Sequence, residues 1–174
     1  MLPKSHLTLT VSTTTNHCPI GETVGNDNLA QAKTPVLSCE GACIRGEIAR
    51  QAANLVARHP NFGRACHGEL FAVPDSAIAR WVKTAKQVIL IDGCFLRCHG
   101  RILENMVGKD QLVQFDALSF HKKYSEIFDP EEVPDHERRA VAQRVAEWVL
   151  NNLCAGTSPC CAPTCDTEKS NCCG

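Results

Sequence analysis

The chain has 174 residues, which most simply make one domain with tails to spare. At 44% hydrophobic and 21% charged it can bury a real core. A formal charge of -1 gives no basis for a nucleic-acid partner or an anionic membrane surface, and no segment carries the ~20 apolar residues of a membrane span.

In chain order, residues 1–33 read as a polar arm. Leu7, Leu9 and Val11 alternate with Ser and Thr, the pattern of a short edge strand. This interrupted stretch lacks the apolar centre of an export signal, so the cytoplasm is the expected address. From Asn16 to Lys33 the composition is that of a loop, in which Cys18, preceded by His17, is an extra candidate ligand. Residues 34–153 read as the compact domain. Pro35-Val36-Leu37-Ser38 is a short strand that runs into Cys39-Glu40-Gly41-Ala42-Cys43. Ile44, Ile48, Ala52, Leu55 and Val56 form an apolar stripe, predicting an amphipathic helix over 43–58 that His59-Pro60-Asn61-Phe62-Gly63 stops. Residues 64–73 have no clean period and read as a strand start that ends in a loop. Pro74-Asp75-Ser76 begins a helix, with Asp75 as its cap and Ile78, Trp81, Val82 and Ala85 on one face, ending near Lys86.

Val88-Ile89-Leu90-Ile91 is an uninterrupted apolar run, the mark of a strand buried on both faces, here 87–92. Asp92-Gly93 ends it. Gly93 reads as a residue that tolerates positive φ in a sharp turn. Asp92 reads most simply as the cap of a following helix over 96–107, whose apolar positions are Ile102, Leu103, Met106 and Val107; hydrogen bonding behind a metal ligand and direct ligation are its other candidate roles. Gly108-Lys109-Asp110 is a turn, and Leu112, Val113 and Phe115 mark a strand ending at Asp116. Phe120, Tyr124 and Phe128 are expected to pack against the domain. Asp129-Pro130 and Pro134-Asp135 are helix-start signals, and Val141, Val145, Trp148 and Val149 mark a final helix to about Leu153. This alternation predicts an α/β fold: a three-layer Rossmann-like sandwich, with a mostly parallel sheet of about four strands and helices on both faces. Right-handed crossovers put every strand's C-terminal end on one side, where such folds hold their ligands. Cys39 and Cys94 both follow strands, so they can meet there.

The thiols carry the chemistry. Of twelve cysteines, six precede residue 154 and six fall in residues 154–174. Without an export signal, and with core-forming patterns, metal ligation or thiol chemistry explains them better than a disulfide framework. Cys39 and Cys43 are four apart, as are Cys94 and Cys98. That spacing brings two side chains to one face of a helix or of the loop entering it, with the second thiol in the first turn, where unpaired N–H groups favour a thiolate. With Cys66, five thiols converge on one crevice, and His67 and His99, each beside such a thiol, are further candidate ligands. Four ligands in a tetrahedron make a structural zinc site.

Ile91-Asp92-Gly93-Cys94 with Cys98, then Leu103-Glu104-Asn105, resembles the signature of the DGC-domain family of suspected zinc-binding proteins. Ser38-Cys39-Glu40-Gly41-Ala42 with Gly46-Glu47 is similar to that family's first motif, and Cys66 stands in the place of its middle cysteine. The resemblance covers about residues 35–120. It implies zinc held by Cys39, Cys66, Cys94 and Cys98, with Cys43 as an additional thiol, and it supplies no reaction. His67 departs from the family pattern, and the cysteine-rich end lies outside it.

Two other readings compete. Cys39 to Arg45 also fits Cys-x5-Arg, in which backbone N–H groups and the arginine cradle an oxyanion for a cysteine nucleophile, as in phosphatases and arsenate reductases; Asp129 would then be the general acid. Ile44 stands where the phosphatases typically carry their second cysteine. In the other reading, Cys94 and Cys98 cycle between dithiol and disulfide, although their gap is longer than the usual Cys-x-x-Cys. Residues 154–174 form a Cys-rich tail that cannot build a core. Cys160, Cys161, Cys165, Cys172 and Cys173 suit clustered thiolate sites, an appended metal-capture segment. The partner all this points to is a metal ion; the sequence names no protein partner.

Overall fold

The computed structural model describes residues 7–120 and 130–154. The elements in order are α1 (Pro19–Ala30), β1 (Thr34–Ser38), α2 (Ile44–Val56), β2 (Phe62–Arg64), α3 (His67–Ala72), α4 (Ala77–Thr84), β3 (Val88–Asp92), α5 (Cys98–Leu103), β4 (Leu112–Asp116) and α6 (Asp135–Cys154). Two 3-10 turns, Ala117–Phe120 and Pro130–Glu132, lie between β4 and α6. The four strands form one sheet in the order β2-β1-β3-β4, and every pair is parallel. Ser38 pairs with Ile91, and Asp92 pairs with Asp116.

Side-chain alternation sorts the strands into two cores. Val36, Ile89 and Ile91 face α2 and α6, where Ile44, Ile48, Val56, Val141, Val145 and Val149 close the layer. Leu37, Val88 and Leu90 face the other way, onto Leu70 of α3, Ile78, Trp81 and Val82 of α4, and Leu103 of α5. Burying each such aliphatic side chain contributes about 1.5–3 kcal/mol. The result is the three-layer sandwich the sequence predicts. The chain leaves β1 for α2 on one face and leaves β3 for α5 on the other. The two loops diverge, and a crevice opens between adjacent strand ends, the usual ligand position of an open α/β sheet.

Several elements differ from the sequence reading. Residues 7–14 belong to no strand, and Leu7, Leu9 and Val11 are exposed. The loop expected over 16–33 holds α1, started by Pro19 and packed on α4. Its glycines are close-packing positions: a Cβ on Gly25 would come within 2.5 Å of the Ala77 carbonyl carbon. Glu22 of α1 accepts the Ala77 N–H at 2.7 Å, and the cap of α4 is Ser76, not Asp75, with its Oγ accepting from Ala79 N–H at 3.1 Å. The 64–73 stretch does begin in a strand but continues into α3. The helix expected over 96–107 is confined to Cys98–Leu103, because Phe95 and Leu96 lie exposed in the preceding loop and Arg97 takes a left-handed φ of 49°. Tyr124, Phe128 and Asp129 lie outside the described residues, as do the tail thiols Cys160, Cys161, Cys165, Cys172 and Cys173; Phe120 packs on Trp148.

Candidate metal centre

Cys39 stands one residue past β1, yet its N–H still donates to Ile91 O at 2.9 Å, which extends the β1–β3 ladder to the sheet's edge. The thiol is buried and turned back into its own loop, where the Gly41 N–H donates to Sγ at 3.4 Å. The Gly93 N–H also faces it from the loop after β3. Those two loops touch because glycines let them. A Cβ on Gly93 would lie 2.6 Å from Arg45 O, and one on Gly46 would lie 2.3 Å from Gly41 O. Among the described residues no glycine has a positive φ, so Gly93 serves close approach and not the left-handed turn expected from sequence.

Asp92 ends β3 and is 1% exposed, and neither carboxylate oxygen has a hydrogen-bond partner. His99 is the second residue of α5, half-buried, and its Nδ1 is likewise buried without a partner. Ligand atoms of Cys39, Asp92 and His99 all lie within 4.8 Å of one another. Ligand atoms sharing one zinc stand roughly 3.3–3.8 Å apart, from bond lengths of about 2.0–2.3 Å, so a small inward adjustment would bring the three to ligating distance of one ion. Sulfur, oxygen and nitrogen together form a donor set that zinc accepts.

The electrostatics favour a cation. Burial raises the Asp92 carboxyl to about 6, with Asp116 adding to the rise; Arg97 and the N–H groups of Gly100 and His99 oppose it, though neither N–H completes a hydrogen bond. Burial also pushes the Cys39 thiol up, against the Gly41 and Gly93 N–H groups, while Asp92 and Cys43 reinforce the rise. Burial lowers His99, against Glu40. It lowers His67 to about 4, helped by His99 and Arg64. Two anion-forming groups thus resist ionising beside each other, and two imidazoles stay neutral, the form that binds metal. A divalent ion here would remove the first conflict and use the second.

A polar network steadies the Cys39 loop. Arg64 reaches from β2 to Ser38 Oγ and Glu40 Oε1, both at 2.6 Å, and to Val36 O at 3.0 Å and Asn54 Oδ1 at 3.0 Å. Ser38 Oγ in turn donates to Glu40 at 2.7 Å. The sequence reading quoted Ser38 and Glu40 only as motif residues and did not join them to Arg64, since nothing in their order shows that strands β1 and β2 are neighbours.

Of the four thiols that the resemblance implied as ligands, Cys39 falls in the close triad. Cys66 is exposed at the cap position of α3, Cys98 is exposed at the first position of α5, and Cys94 is half-buried between β3 and α5. Among the described residues these three join no equally tight group of ligand atoms. Cys43 occupies the cap position of α2, half-buried. Cys18 caps α1, accepting from Gly21 N–H at 3.5 Å, and is exposed. Asp92 and His99, secondary in the sequence reading, are the residues that join Cys39. One sequence signal pointed to His99: Cys-His-Gly occurs twice, at 66–68 and 98–100.

Arg45 sits in the first turn of α2. The raised Cys39 thiol is the reverse of the lowered one that a cysteine nucleophile needs. Cys94 and Cys98 are both free thiols, with the left-handed Arg97 between them.

Fold and site together define an α/β protein with a candidate metal centre at the switch point of a parallel sheet. The chain matches the DGC domain over residues 35–145, well over half its length, and belongs to that family. No curated protein and no solved structure matches it. Among the described residues no helix is long and apolar enough to cross a membrane.

Proposed function

We propose that this protein binds zinc at the crevice between β1 and β3 and serves in metal handling rather than in cysteine-nucleophile catalysis. Cys39, Asp92 and His99 are the inner ligands, and Cys66, Cys94 and Cys98 are rim thiols that take up or release the ion. The observation that carries this reading is Asp92: a carboxylate 1% exposed, with both oxygens unpartnered, beside a buried thiol and an orphaned imidazole nitrogen. Burying such a group without compensation costs several kcal/mol, and a cation at the triad is the compensation the site is shaped for. The exposure of Cys66 and Cys98 supports exchange over a closed structural site, because a sealed four-thiolate centre leaves no free rim. A reducing cytoplasm fits thiols that must stay free to ligate.

Elemental analysis of protein purified without chelator tests this. About one zinc per chain is expected in a variant whose tail cysteines are serine, falling to near zero in Cys39→Ser and in Asp92→Ala. Metal-free wild-type domain, or full zinc content in both variants, refutes the assignment.

A further inference from the structure

We infer that His67 is a fourth ligand of this centre, so that the bound ion is held by one thiolate, one carboxylate and two imidazoles. The inference rests on the zinc site proposed above and deepens it. Helices α3 and α5 lie on the same face of the sheet, sharing the core of Leu70 and Leu103, and each begins at a Cys-His-Gly tripeptide. The repeat brings His67 against His99 with ring centroids 4.8 Å apart.

The rings are not stacked flat. They are inclined at 54°, an arrangement that lets two imidazole edges share one point. His67 Nε2 is buried without a hydrogen-bond partner, as is His99 Nδ1. An unsatisfied buried nitrogen is costly, and two of them side by side, next to a carboxylate in the same condition, share a single remedy. Phe71 also packs against the His67 ring, with centroids 5.4 Å apart. His67 lies outside the tightest group of ligand atoms, so coordination draws its nitrogen inward. The flanking residues Cys66 and Gly68 are exposed, so no packed side chain on either of them stands against that shift.

The rival role for His67 is mechanical: a ring that only props His99. His67→Phe separates the two, since phenyl keeps the ring contacts and loses the nitrogen. The test uses the full-length chain with Cys160, Cys161, Cys165, Cys172 and Cys173 replaced by Ser, loaded with one zinc. X-ray absorption is expected to show one sulfur and two imidazoles, with one imidazole remaining in His67→Phe. Competition with a chromophoric chelator is expected to show at least a tenfold weaker Kd for that variant. An unchanged imidazole count and Kd in His67→Phe, or two or more sulfurs on the wild-type ion, overturns the inference. If Cys39→Ser and His99→Ala lose zinc while His67→Phe keeps it, the zinc site stands and only the role of His67 falls. If all three bind as wild type does, the site itself falls.

Discussion

Asp92→Asn is expected to stabilise the metal-free protein while weakening its hold on zinc. The carboxyl's midpoint climbs from the ordinary 3.8 to about 6 on folding, chiefly because burial strips its water. Each pH unit of such a climb is worth ~1.36 kcal/mol, which sets a ceiling of about 3 kcal/mol. Because the folded value is the higher one, the folded state binds the extra proton between the two values, and stability falls as pH rises through that window. Below pH 3.8 the wild type carries no penalty; above pH 6 it carries all of it. Asparagine has the same shape and no charge, so its advantage is absent in acid and near 3 kcal/mol at pH 8.

For a chain of this size that gain amounts to about 6–12 °C in Tm. The assay is urea denaturation of chelator-stripped protein at pH 4 and pH 8, repeated with zinc at about 100 times the wild-type Kd. Under zinc the wild type recovers ~2.7 kcal/mol by mass action and Asn recovers less, so the gap closes. Two results refute the reasoning. Equal stability of the stripped proteins at pH 8 means that the carboxylate is not penalised, and an equal advantage at pH 4 and pH 8 means that ionisation is not the cause.

Gly93→Ala forces a methyl group onto the Arg45 carbonyl, 2.6 Å away, and a loss of about 1–3 kcal/mol or more by denaturant titration is expected, with weakened zinc binding. Arg64→Met removes the cation that joins Ser38 and Glu40; about 2 kcal/mol of stability is expected to go, and zinc affinity with it, because the Cys39 loop loses its support. Removal of residues 155–174 is expected to leave about one zinc on the domain and to lower the total bound by the full chain under reducing conditions; equal stoichiometry of the two forms counts against metal capture by the tail. Aryl phosphate is expected to be untouched by the wild type. Turnover that disappears in Cys39→Ser and persists in Cys94→Ser would establish the Cys-x5-Arg reading instead.

The sheet and its two main covers were legible because their signals are periodic. Val88-Ile89-Leu90-Ile91 reads as a doubly buried strand, and the stripe from Ile44 to Val56 reads as a helix, whatever surrounds them. Helix α1 was not legible. Gly21, Gly25 and Asn28 are breakers in isolation; only the approach of α4 turns Gly25 into a contact, and Asn28 is buried where its amide meets Gly63 of β2. The overlong α5 has a similar cause: Ile102 to Val107 keeps a helical spacing, while the left-handed Arg97 that delays the start is a tertiary outcome. The strand start of residues 64–73 was read, but helix α3 was missed because Cys-His-Gly-Glu has no apolar period to read.

The site was legible as a place and less so as a ligand set. Sequence could align Cys39 with the end of β3, because parallel strands joined by crossovers end on one side. It could not show that β4 brings Asp116 beside Asp92, or that α5 starts so close over the strand end that a Cβ on Gly100 would meet Asp92 Oδ2 at 2.9 Å. Those two neighbours turn an ordinary capping aspartate into a buried, unpaired carboxylate. The same packing would couple metal binding to folding. Gly93 lets the β3 loop lie close against the start of α2, and Gly46 lets that helix lie close against the Cys39 loop. An ion that drew Cys39, Asp92 and His99 together would tighten both faces of the sheet at once, and a cost left in the metal-free fold would become affinity for the metal.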